Sequence, residues 1–145
     1  MRKKLYQDIL TCLKSLTDEN GAPLFKTTRL WSGNSETGTP SVAMPAVLME
    51  CGESVWKTLG GGSQEALLTL KLHILTAPTE DTSEDTSTEQ ILNAFELSGR
   101  VYTALLSMRI DRNAPHNMRR TASIATFSAE GFMDNTDTYQ LLTVE

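Results

Sequence analysis

Hydrophobic positions recur with helical spacing at the start of the chain, then alternate like strands in three runs. Helical spacing returns once, and two more alternating runs finish the sequence. Leu5, Ile9, Leu13 and Leu16 fall on one face of a helix predicted from Arg2 to Leu16, and Leu10 and Cys12 widen that stripe. Asn20-Gly21 stops the helix, and Pro23 prevents it from resuming. Phe25 to Ser32 predicts a first strand, and Pro45 to Glu50 a short apolar second one around Ala46-Val47-Leu48-Met49. In Ala66 to Leu75, Leu68, Leu70, Leu72 and Ile74 point one way and Thr69, Lys71 and His73 the other.

The connections are read from turn residues. Gly33 to Pro40 is a loop by composition. Gly52 and the run Gly60-Gly61-Gly62-Ser63 bracket a flexible segment, and no Gly-Lys-Ser/Thr follows to make a phosphate-binding loop. Thr76 to Thr88 is an acidic loop carrying Glu80, Asp81, Glu84 and Asp85, and Ser87-Thr88-Glu89-Gln90 reads as a capping box. It opens a helix from Thr88 to Met108 with an apolar stripe of Ile91, Phe95, Tyr102, Leu105 and Leu106. Ser98 and Gly99 fall within that stripe and predict a close approach to the sheet or to the first helix. After a loop from Arg109 to Met118, Arg119 to Glu130 predicts a strand. Gly131 to Asp137 turns the chain, and Tyr139 to Val144 returns as its antiparallel partner. The expected fold is α+β, one domain over residues 1–145, with about five mostly antiparallel strands and two helices on one face.

Composition narrows the function classes. A net charge of −5 argues against gripping duplex phosphates as the main activity. No apolar run approaches the roughly 18–20 residues that cross a bilayer. Gln7, Asp8 and Lys14 break the apolar stretch that an export signal would need after Met1-Arg2-Lys3-Lys4, so the chain is expected to stay in the cytoplasm of a host cell. Two lone cysteines, Cys12 and Cys51, make neither a disulfide framework nor a zinc site.

Catalytic signatures are missing. There is no HExxH, no GxSxG and no pair of CxxC motifs, and His73 and His116 read as surface histidines. An enzyme built from scattered residues would draw first on Glu50, Glu53 and His73. The expectation is instead no catalysis, no cofactor and no metal. Arg109, Arg112, Arg119 and Arg120 form a basic cluster, in which Arg119 and Arg120 point to opposite faces of a strand. Glu80, Asp81, Glu84 and Asp85 form either a solubilising loop or a lining that repels phosphate. Together with Lys71, His73, Arg119 and Arg120, these four acids are the candidate interface residues. Trp31 and Trp56 read as core or rim packing.

This order of elements resembles the tail-terminator and head–tail joining proteins of long-tailed bacteriophages. The likeness runs from the Leu5/Ile9/Leu13 helix through the long loop after the first strand and the Leu68–Ile74 strand. It continues through the helix with Ile91, Phe95 and Tyr102 to the closing Tyr139–Val144 strand. The resemblance implies a hexameric ring of identical subunits that meets tail-tube and connector proteins, with DNA only as passing cargo and no membrane partner. Such a protein assembles in the host cytoplasm and ends in the virion. The loops at 33–44 and 76–88 would meet neighbouring rings. The alternative is a small host binding module that holds a peptide or small molecule on its sheet face.

Overall fold

The computed structural model describes residues 2–31, 42–77, 84–108, 118–128 and 131–144, with 84–87 as backbone alone. The elements run α1 Arg2–Ser15, β1 Thr27–Leu30, β2 Ala46–Gly60, β3 Ser63–Thr76, α2 Glu84–Ser107, β4 Arg119–Phe127 and β5 Met133–Val144. The strands form one sheet in the order β1-β2-β3-β5-β4, with β1 parallel to β2 and every other pair antiparallel. The architecture is α+β, in the order expected from the sequence.

Both helices pack on one face. Leu5, Ile9 and Leu13 of α1 join Ala94, Leu97, Val101 and Leu105 of α2 among the buried side chains. Beneath the helices, Val47, Met49, Leu68, Leu70, Leu72, Ile74, Tyr139 and Leu141 close the main core. The alternation in β3 places Leu68, Leu70, Leu72 and Ile74 under the helices with no exposed surface. Truncating one of these leucines to alanine costs about 2–5 kcal/mol. A smaller cluster lies on the opposite face, helix-free among the described residues, where Ala46, Leu48 and Leu75 meet Trp31, Val42, Met44 and Phe132.

Four sequence expectations are corrected. First, the segment after Gly52 is strand, because Val55, Trp56, Thr58 and Leu59 favour extended backbone. Gly61 and Gly62 are the positive-φ pair of a two-residue hairpin turn. Gly52 lies at a register shift between Cys51 and Ser54, where a Cβ would come 2.9 Å from the Thr69 carbonyl oxygen.

Second, α2 begins at Glu84, so Ser87 to Gln90 lie inside the helix and not at its start. Glu84 and Asp85 occupy its first turn, where the helix dipole favours acidic residues. Third, the buried stripe of α2 is Gln90, Ala94, Leu97, Ser98, Val101 and Leu105, which leaves Leu92, Phe95 and Leu106 exposed. Gln90 and Ser98 face inward because each has partners there. Gln90 Nε2 donates to the carbonyls of Thr76, Ala77 and Gly131 at 3.2, 3.0 and 3.3 Å. Gly99 does not approach the sheet or α1, since among the described residues a Cβ on it would meet no atom within 4 Å outside its own stretch of helix. Fourth, β5 starts at Met133, inside the expected turn, and its polar residues Asn135 and Asp137 are buried beneath α2.

Candidate functional site

Three features hold chemistry or surface that the core does not explain. The first is on the helix-free face. His73 of β3 is only 7% exposed, contrary to a surface histidine. Register sets it between Leu48 of β2 and Thr136 of β5. Its Nε2 lies 2.7 Å from Glu50 Oε2, and its Nδ1 lies 3.0 Å from Asp134 Oδ2 and 3.1 Å from Thr136 Oγ1. Trp31 stacks on the ring with centroids 3.9 Å apart and 10° between planes.

Burial pushes the His73 imidazole down, but hydrogen bonds and charge from Asp134 and Glu50 outweigh it and raise its pKa above the usual 6.5. The ring thus ties three adjacent strands. The carboxylates take opposite edges of the ring, so the three groups do not converge on one point. Among the described residues no group of three His, Cys, Asp or Glu side chains could hold a metal ion. Of the residues singled out for a scattered enzyme site, Glu50 and His73 come together. Glu53 stands apart, exposed at the irregularity in β2. Lys71 is half-buried on the same face, in register with Glu50 and Thr138.

The second feature lies under α2. Asp137 is fully buried and accepts hydrogen bonds from Ser98 Oγ at 2.5 Å, Ser123 Oγ at 2.6 Å and Asn135 Nδ2 at 3.0 Å. Arg120 Nη1 donates to Ser98 Oγ at 3.0 Å, and its guanidinium lies 4.6 Å from the centre of the Tyr102 ring. The hydroxyl of Tyr139 is buried with no hydrogen-bond partner among the described residues. Burial and the Asp137 charge push that phenol up, against the opposing pull of Arg120. Arg119 and Arg120 do take opposite faces of β4. Arg119 lines a cavity of about 410 Å³ with Leu67, Gln140, Leu141 and Leu142. Arg120 is committed to the network under α2.

The third feature is β4 itself. All nine of its residues are exposed, including Ile124 at 63% and Phe127 at 50%. It is an edge strand, and Thr121 to Phe127 contains neither charge nor proline. At the far side of the sheet the β2–β3 hairpin exposes Val55, Trp56 and Leu59, with Arg2 of α1 over the Trp56 ring at 5.0 Å.

The remaining candidates are less informative. Glu80, Asp81, Arg109, Arg112 and His116 lie outside the described residues, as does the expected loop at 33–40. Glu84 and Asp85 open α2. Cys12 and Cys51 are both free thiols, and burial pushes the Cys12 thiol up, away from reactive thiolate. No described helix is long and apolar enough to cross a membrane. Asp134 and Asp137 carry no signal in the sequence, because each acts through partners remote along the chain, and Ser98 reads there only as a small residue in the α2 stripe. No protein-family model matches the chain, and no curated protein matches it.

Proposed function

We propose that the chain is a ring-forming structural component of a phage or prophage particle, a tail-terminator or head–tail joining protein that works without catalysis. The observation that supports self-assembly is β4, a nine-residue strand that exposes every residue and carries an uncharged run along its open edge. An edge of that composition is a template for another strand, and soluble monomers usually blunt such edges with charge or proline. Exposed Leu92, Phe95 and Leu106 on α2 add apolar surface. The phage assignment rests on the order of elements, α-β-β-β-α-β-β around a five-stranded sheet, and on its resemblance to those ring proteins. Its partners are then copies of itself, tail-tube proteins and connector proteins, with DNA passing through the central hole. It assembles in the host cytoplasm and remains in the virion.

Light scattering and negative-stain electron microscopy of the purified chain test this reading. The expected result is a closed ring with a central opening and a mass several times the 16.0 kDa of one chain. A strict monomer up to millimolar concentration would overturn it. A monomer that also binds a small molecule beside Arg119, where the 410 Å³ cavity opens, would support the host binding module instead.

A further inference from the structure

Among the described residues the sheet has two open edges, one at each end of the strand order. On one side is β4. On the other, β1 pairs only with Ala46 to Met49 of β2. Cys51 to Gly60 therefore has no backbone partner on its outer side among the described residues. That stretch is one residue longer than β4 and carries the irregularity between Cys51 and Ser54. The two edges also run in opposite directions, because β2, β3, β5 and β4 alternate in sense. A copy that continues the sheet in the same sense must therefore bring its β2 antiparallel to β4.

The side chains suit that junction. Ile124 is in register with Thr136, and Val55 with Leu67, which is itself in register with Leu142. Both Ile124 and Val55 thus lie on the helix-free face, and both are more than half exposed. On the helix side, Trp56 of one edge would meet the small residues Ser123 and Ala125 of the other, which leave room for an indole.

We propose that the Cys51–Gly60 edge of one subunit docks antiparallel on β4 of a second copy, with Val55 beside Ile124, so that the sheet runs on from subunit to subunit. The inference rests on the ring reading and names the surfaces that build the ring. The contact is head-to-tail, so an open chain of subunits keeps one edge free at each end until the ring closes. The sheet's own twist supplies the turn between neighbours.

The test uses the full chain with Cys12 and Cys51 replaced by serine and cysteines introduced as V55C and I124C. Mild oxidation of the assembled double variant is expected to give a ladder of covalent multimers on a denaturing gel. A mixture of the two single variants should give dimers only. Covalent dimers from I124C alone would mean that β4 pairs with β4, and would overturn the proposal. Rings without any cross-link would overturn the docking and leave the ring reading standing, whereas a monomeric wild-type chain would remove both. In a second variant, I124K is expected to weaken association at least about tenfold, equivalent to 1.4 kcal/mol, with an unchanged circular-dichroism spectrum. Association equal to that of the wild type would again count against the proposal.

Discussion

Trp31 lies flat on His73, at the point where the chain leaves β1, and the imidazole beneath it is held at both edges by Glu50 and Asp134. An aromatic face thus covers an imidazole that is only 7% exposed. The stack ties the end of the edge strand β1 to the central strand β3.

The first prediction is a pH-dependent stability. The folded-state pKa of His73 is raised above 6.5, so the folded protein holds this proton more tightly than the unfolded chain. The stabilisation is fully present below pH 6.5 and is lost as pH rises through the higher folded value. Urea midpoints of the dilute protein should therefore fall as pH climbs above 6.5. His73→Gln should remove that slope while lowering stability at acidic pH. An identical slope in both proteins would show that another group is responsible.

Sequence and structure agree where one layer of packing decides the pattern. Leu68, Leu70, Leu72 and Ile74 alternate because the helices cover one face of β3, and that alternation is plain in the chain. They part where buried polar groups find distant partners. Asn135 and Asp137 look like turn residues, yet they belong to a strand because Ser98, Ser123 and each other satisfy them. Ser98 is 39 positions from Asp137, a spacing with no local signature. The same network rotates α2, so Phe95, which reads as core, is 52% exposed. Glu50 and His73 stand out in the sequence only alongside Glu53, as residues for a scattered site, and nothing there pairs them. Asp134, 61 positions from His73, was hidden in an apparent turn.

A second prediction concerns that network. Asp137→Ala would leave the donors of Ser98, Ser123 and Asn135 facing a void under α2 and is expected to cost about 3 kcal/mol or more. Ser123→Ala removes one donor from a carboxylate that keeps two others, and about 1 kcal/mol should be lost. Urea unfolding at neutral pH measures both. Equal losses from the two variants would contradict the role of Asp137 as the hub.

A third prediction separates the conformational cost of a glycine from its need for space. Gly99 sits in the middle of α2, and among the described residues a Cβ there meets no atom within 4 Å outside its own stretch of helix. Glycine inside a helix is about 0.8–1 kcal/mol less favourable than alanine. Gly99→Ala should therefore raise the stability of the dilute subunit by about that amount, read from the urea midpoint at unchanged slope. A loss of stability would show that the subunit itself requires glycine at this point.

The last prediction has the opposite sign. Gly52 lies where β2 slips register against β3, and a Cβ on it would come 2.9 Å from the backbone oxygen of Thr69, 3.1 Å from its Cγ2 and 3.2 Å from its Cβ. A carbonyl in the central strand cannot swing aside, because β3 is paired on both edges. Gly52→Ala must push the two strands apart, and an overpacked site of this kind costs about 1–3 kcal/mol. The alanine also disturbs the start of the Cys51–Gly60 edge, so the variant should both unfold at lower urea and associate more weakly. Thr69→Ser removes Cγ2 but keeps the carbonyl, so in the double variant it should restore only a small part of the loss. Full rescue by Thr69→Ser would place the clash at the side chain and not at the backbone oxygen.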